Sequence, residues 1–184
     1  MLPPFQLDGL LPPADYEMSL AELRASALVT GPQGIEVWDS DWRLHLVGNL
    51  EILAKQLWQV GIKDIYVNGS FVEDKAHPND IDGYFVCDFD YLKSGKLQQD
   101  LNLLEPSKIW TWDPASRHPY PGYLKKQLPM WHKYRVELYP HFPGMGCGIL
   151  DKFGHEMEFP SAFRQCRRDG APKGIVKIRQ GVAL

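Results

Sequence analysis

The chain has few cysteines, no long apolar run and little net charge, and each scarcity excludes a class of protein. Its three cysteines, Cys87, Cys147 and Cys166, are odd in number and far apart, which indicates neither a disulfide framework nor a zinc site. No stretch reaches the length of a membrane-spanning helix, and the N-terminus lacks the basic and apolar regions of a secretion signal. With a net charge of only −3, the chain is not strongly basic or acidic overall. We therefore expect a soluble, cytoplasmic protein.

Several catalytic patterns are also missing. The six histidines show no paired spacing, which argues against a His-ligated phosphoesterase. The glycines in residues 144–148 do not follow the spacing of a dinucleotide-binding or Walker-type loop. The chain also contains no internal repeats and no low-complexity tracts.

The composition instead predicts one compact domain over residues 1–184. Its 44% hydrophobic and 12% aromatic residues are enough to bury a substantial core without disulfides. Within that domain we expect a Pro-rich, extended N-terminal arm (1–18) and a basic C-terminal segment (160–184). The basic residues of this segment suit polyphosphate or RNA, or else form a solvated surface.

The most informative segment joins a Gly-Ser turn to two carboxylates. Gly69 and Ser70 follow a short apolar run, and Asp80 and Asp82 come after a nine-residue spacer. Side chains alternate along a strand, so the two aspartates point the same way while Ile81 points into the core. Mg²⁺ binds through one or two carboxylates and leaves its other positions to water and substrate phosphates. Because a helix beginning at Ser70 directs free N–H groups toward an anion, we expect phosphate and metal to meet in one cleft.

This pattern resembles the signature of the DNA polymerase β-like nucleotidyltransferases, especially their minimal, single-domain members. That signature has a hydrophobic residue, Gly, Gly or Ser, a spacer, and then Asp, a hydrophobic residue and Asp or Glu. The resemblance covers residues from about 40 to about 140. Two positions depart from the signature, because Asn68 stands where a hydrophobic residue is usual and Gly83 where a branched residue is common. The matching residues are Gly69, Ser70, Asp80, Ile81 and Asp82. The alternative interpretation is a solvated strand edge that follows an ordinary turn.

The resemblance implies an α/β (α+β) fold whose mixed, largely antiparallel sheet is flanked by helices. It also implies transfer of a nucleoside monophosphate, dependent on Mg²⁺ or Mn²⁺, from a nucleoside triphosphate to an RNA (such as tRNA) or protein hydroxyl. Minimal members are frequent in toxin–antitoxin and phage-defence systems. The roles implied are catalysis and metal binding for Asp80, Asp82 and Glu137, and nucleotide binding for Gly69, Ser70 and Lys75. The alternative function is a binding or regulatory module that has kept the pocket without turnover.

Glu137 is the candidate for the third carboxylate of the signature. Alternation over residues 133–140 predicts a half-buried strand with Arg135, Glu137 and Tyr139 on one face. The family more often has Asp at this place. In the alternative interpretation, Arg135 or Tyr139 forms a structural pair with Glu137.

The remaining elements are predicted from capping and periodicity. Ser19 and Glu22 form a capping box that opens a short helix. A longer helix begins at residues 39–41 and ends at Gly61, and strands are expected at about 64–68 and 80–87. A further helix is expected at about 91–104. The aromatic residues between 110 and 123 either pack over the core or form a wall on which a base stacks.

Overall fold

The computed structural model describes residues 2–32 and 37–181 and contains a five-stranded mixed sheet flanked by helices. The strands are β1 (Asp15–Ser19), β2 (Ile65–Asn68), β3 (Ile81–Val86), β4 (Val136–His141), β5 (Gly146–Leu150), β6 (Glu156–Glu158) and β7 (Ile175–Arg179). The sheet order is β1-β7-β2-β3-β4, and β5 and β6 form a separate antiparallel hairpin. The outer pairs β1/β7 and β3/β4 are parallel, and β2 is antiparallel to both of its neighbours. The predicted fold class, a mixed sheet flanked by helices, is confirmed, whereas the expectation of a largely antiparallel sheet is wrong, because two of the four strand pairs in this sheet are parallel.

The helices begin and end at recognisable signals. They are α1 (Leu20–Arg24), α2 (Ala27–Thr30), α3 (Ser40–Gln59), α4 (Phe89–Lys93), α5 (Lys96–Leu104), α6 (Pro129–Tyr134) and α7 (Phe159–Ala162). The capping box is present, because Ser19 Oγ accepts from the Glu22 N–H at 3.2 Å and Glu22 accepts from the Ser19 N–H at 2.7 Å. The helix predicted at 91–104 is two helices, since Gly95 adopts a left-handed conformation (φ 75°) between α4 and α5. None of the described helices is long and apolar enough to cross a membrane.

The two faces of the sheet carry different side chains. On one face Ile81 and Phe85 pack into the main core, which α3 covers with its leucine stripe. Trp110 is fully buried in this core, and Trp112 donates its indole N–H to the Leu138 carbonyl at 2.8 Å. For these two tryptophans the packing interpretation is confirmed.

The opposite face of the sheet has a smaller aromatic cover. Tyr84, Phe159, Phe163 and Ile175 form a buried cluster there, and Tyr139 packs against it. Because side chains alternate along β3, Asp82 points to the same face as Tyr84. The face that carries the carboxylates is therefore covered by the C-terminal third of the chain.

Both ends of the described chain enter the sheet. In the N-terminal segment Leu10 and Leu11 are buried, and β1 pairs in parallel with β7. In the C-terminal segment α7 is a single turn, and the sequence did not predict the strand β7. Met1 and residues 182–184 of the predicted arm and basic segment lie outside the described residues.

Candidate functional site

Three polar side chains form one row across neighbouring strands. The strand register pairs Asn68 on β2 with Asp82 on β3, and Asp82 with Glu137 on β4. Residues paired in this way point to the same face of a sheet. Asp82 and Glu137 therefore share a face, and Asp80 lies immediately before β3.

The two aspartates are held at raised pKa values. Burial and, second, the negative charge of Asp80 together raise the pKa of Asp82 to about 7. Burial also raises the pKa of Asp80, although its carboxylate accepts a hydrogen bond of 2.7 Å from the Trp131 indole. The charge of Arg167 opposes the shift of both pKa values without cancelling it. Two neighbouring carboxylates with insufficient positive charge around them are the environment that a divalent cation would complete.

Glu137 differs from the aspartates because its oxygens are already engaged. One oxygen accepts from the Leu128 N–H at 3.1 Å and from the Arg117 guanidinium at 3.4 Å, and the other accepts from the Tyr139 hydroxyl. The structural pairing of Tyr139 with Glu137 is thus present. The prediction that Arg135 lies on the same strand as Glu137 was wrong. Arg135 ends α6 with φ 54°, and its guanidinium carbon lies 3.8 Å from the centre of a Trp131 ring.

These contacts decide how well the three carboxylates fit a metal ion. Over residues 2–32 and 37–181, no three His, Cys, Asp or Glu side chains form a ready-made metal site. Asp80 and Asp82 fit a divalent cation whose other positions are filled by water and phosphates. Glu137 fits as a third ligand only when its present hydrogen bonds are replaced, so that assignment stays a prediction.

The Gly-Ser turn lies directly against Asp82. Gly69 adopts φ 70°, and a Cβ atom at this position would lie 2.6 Å from Asp82 Oδ2, so only glycine fits. The Gly69 N–H donates to Asn68 Oδ1 at 2.7 Å and is therefore not free to bind an anion. The expected helix is a single 3₁₀ turn over Gly69–Val72. Ser70 lines a small pocket of about 230 Å³ beside Asp82.

Lys75 lies in the spacer between the turn and the aspartates. Its side chain is exposed, and its positive charge opposes the rise in the pKa of Asp80 without cancelling it. Phosphate contact by Lys75 stays a prediction.

The two departures from the family signature have structural causes. The Asn68 amide donates to the Phe163 carbonyl and, at 3.1 Å, to the Gly174 carbonyl, so it ties the C-terminal segment to β2. At Gly83 a Cβ atom would lie 2.3 Å from the Tyr66 carbonyl oxygen and 2.8 Å from Leu138 Cδ2. A hydrophobic residue at 68 or a branched residue at 83 is incompatible with this packing.

A cleft of about 1400 Å³ opens over the carboxylate face. It adjoins the small pocket, and Asp82 lines both. Arg117 and Arg167 lie on its wall. Sequence reasoning did not select Arg117, because it reaches Glu137 across 20 residues of chain and no local pattern marks it.

Most of the basic C-terminal segment is neutralised within the molecule. Five of the six cations form ion pairs: Arg164 with Asp15, Arg168 and Lys173 with Glu73, Lys177 with Asp64, and Arg179 with Glu22. Among the described residues, Arg167 has no such partner. The unpaired positive charge of this segment, within the described residues, is therefore that of Arg167, which lines both the cleft and the small pocket beside Asp82.

Part of the aromatic stretch borders Asp80. Tyr120 and Tyr123 pack edge-on against Trp131, with ring centres 5.1 and 4.9 Å away, and both remain half-exposed. The guanidinium carbon of Arg135 lies over the Tyr120 ring, 4.2 Å from its centre. A base-stacking role remains a prediction for these two tyrosines.

The chain belongs to DUF6932, described as a family of unknown function, whose model matches residues 3–179. Comparison with curated proteins and with solved structures finds no match. The matched range includes every residue of the candidate site.

Proposed function

We propose that the protein is a divalent-metal-dependent nucleotidyltransferase that moves a nucleoside monophosphate from a nucleoside triphosphate to an RNA or protein hydroxyl. The observation that carries the proposal is the pair Asp80 and Asp82, two carboxylates of raised pKa beside the Gly69 turn. A pair of like charges partly withdrawn from water is costly, and functional sites are where such costs concentrate.

The proposed reaction depends on position and charge. The acceptor oxygen forms a bond to the α-phosphorus, the bond from that phosphorus to pyrophosphate breaks, and the hydroxyl proton leaves to solvent. Asp80 and Asp82 would hold a divalent cation, which neutralises phosphate charge and activates the hydroxyl. Arg167, near both aspartates and without an ion-pair partner among the described residues, is suited to the triphosphate. Ser70 faces the small pocket and offers a hydroxyl donor.

The alternative is a binding module with the same pocket and no turnover. The contacts of Glu137 with Arg117, Tyr139 and Leu128 favour this alternative, because they occupy the third carboxylate. The two functions differ in one measurable property, which is covalent labelling of an acceptor.

The test is incubation of the protein with each α-labelled nucleoside triphosphate, Mg²⁺ or Mn²⁺, and total cell RNA and protein, followed by gel separation. We expect a labelled acceptor with the wild type. The double variant Asp80→Asn, Asp82→Asn should lose at least about 100-fold of the labelling, because amides do not hold the divalent cation.

The chain offers a matched control in a second Asp-X-Asp sequence. Asp88 and Asp90 are exposed at the start of α4, away from the cleft. The variant Asp88→Asn, Asp90→Asn should label normally, since Asn still caps the helix. Absence of labelling by the wild type, with nucleotide still bound, would replace the transferase proposal by the binding module.

A further inference from the structure

The large cleft has basic side chains on opposing walls. Arg117, Lys125 and Lys126 lie on one side, in the loop before α6, and Arg167 and Arg168 lie on the other, after α7. Lys125, Lys126 and Arg167 are exposed, and no ion pair within residues 2–32 and 37–181 involves them. In a chain of net charge −3, this concentration of free cations in one cleft indicates an anionic ligand.

The cleft is larger than a nucleotide needs. Pockets for small ligands usually enclose about 300–1000 Å³, whereas this cleft measures about 1400 Å³ and adjoins the separate pocket beside Ser70. The size leaves room for a second, longer substrate beside a triphosphate. Cations on two walls of the cleft are complementary to a polymer that carries one phosphate in every repeating unit.

The hairpin tip adds apolar surface to the same cleft. Phe153 is 73% exposed and Leu150 is 62% exposed, and both line the cleft. The Lys152 ammonium lies 5.0 Å from the centre of the Phe153 ring. An exposed ring beside a cation is the combination that binds an unpaired base and its phosphate.

We propose that this cleft binds a single-stranded polynucleotide, with its phosphates on Lys125 and Lys126 and an unpaired base on Phe153. That the bound strand is the acceptor of the transfer rests on the proposed function. The binding itself does not rest on it, since neither the metal nor the triphosphate is assigned to Lys125, Lys126 or Phe153.

The test is fluorescence anisotropy with labelled 12-nucleotide single strands of RNA and of DNA, and with a duplex of the same sequence, over a salt series and without nucleotide. The variant Lys125→Ala, Lys126→Ala should bind at least about fivefold more weakly at low salt. The slope of log affinity against log salt should fall in magnitude by about 1.4, because two phosphate contacts are lost. Phe153→Ala should weaken binding by about tenfold.

The matched control is Lys63→Ala, Lys93→Ala, which removes the same charge from exposed positions outside the cleft and should bind as the wild type does. Tighter binding of single-stranded RNA or DNA than of the duplex supports the proposal, and the more tightly bound strand identifies the kind of polynucleotide. No binding of either strand, tighter binding of the duplex, or equal weakening by the control overturns it. Strand binding without acceptor labelling would contradict only the proposed function, and labelling of protein without strand binding would contradict only this inference.

Discussion

At the scale of single residues, the partly buried Asp82 and the fully buried Glu105 have pKa values that are shifted in opposite directions. Burial raises the pKa of Asp82 to about 7. Burial also acts to raise the pKa of Glu105, but hydrogen bonds from Lys133, Gln56, the Ser107 N–H and Tyr134 outweigh it and lower that pKa to about 2. The environment, rather than the residue type, therefore separates a carboxylate that lacks compensating partners from one whose charge is already stabilised by hydrogen bonds.

The raised pKa of Asp82 predicts a pH-dependent effect of its replacement. Because the folded state holds the proton more tightly than the unfolded state, stability is lost as the pH rises from 3.8 through about 7. Asp82→Asn should therefore raise the free energy of unfolding by about 2 kcal/mol at pH 8 in the presence of a chelator, and by nearly nothing at pH 4. Urea denaturation at the two pH values measures the difference.

Glu105→Gln is the control of opposite sign for that measurement. With its pKa lowered, Glu105 contributes stability above its ordinary 4.5 that is lost as the pH falls toward about 2. The variant should destabilise the protein at pH 7 and less so at pH 3. A stabilising effect of Asp82→Asn that does not change with pH would contradict the ionisation argument.

At the scale of elements, one buried arginine fixes the segment between the turn and the aspartates. Arg43 on α3 is fully buried and donates to the carbonyls of Leu28 and Phe71 at 2.6 and 2.8 Å. It also donates to the Glu73 carbonyl at 3.2 Å and the Lys75 carbonyl at 2.5 Å. The longest helix thereby positions the spacer of the motif, which has no regular structure of its own beyond one 3₁₀ turn.

Arg43→Met should destabilise the protein by about 3 kcal/mol, because four carbonyls lose a buried charged donor. Amide hydrogen exchange should rise most in residues 71–76. Arg24→Met is the control, since Arg24 forms a half-exposed ion pair with Glu51 that is worth less than about 1 kcal/mol. Uniform exchange changes across the protein would show that Arg43 does not act on the spacer specifically.

At the scale of the whole molecule, the N-terminal segment completes both the core and the sheet. Leu11 is 1% exposed, and β1 extends the sheet beyond β7. Leu11→Ala should lower the free energy of unfolding by about 2–5 kcal/mol, as a core cavity does. Thermal and urea denaturation measure it.

Leu7→Ala in the same segment is the matched control, because Leu7 is fully exposed. Its effect should stay within about 0.5 kcal/mol. Equal stability of the two variants would mean that the segment is an accessory arm after all.

The sequence by itself determined the elements whose signals are local. The capping box at Ser19, the leucine stripe of α3 and the spacing of Asp80 and Asp82 depend on residues within a few turns or one strand. For such elements the pattern and the structure agree, because hydrogen bonds and side-chain periodicity over short distances decide them.

Only the tertiary structure decided the contacts between distant segments. The pairing of β7 with β1 and β2, the engagement of Glu137 by Arg117, and the ion pairs that neutralise most of the basic segment each join residues far apart in the chain. Arg135 is a further example. The alternation of residues 133–140 predicts that Arg135 belongs to a strand, but in the structure it ends α6 and packs on the Trp131 ring. Local patterns do not encode these contacts, because their energy comes from partners that only folding brings together.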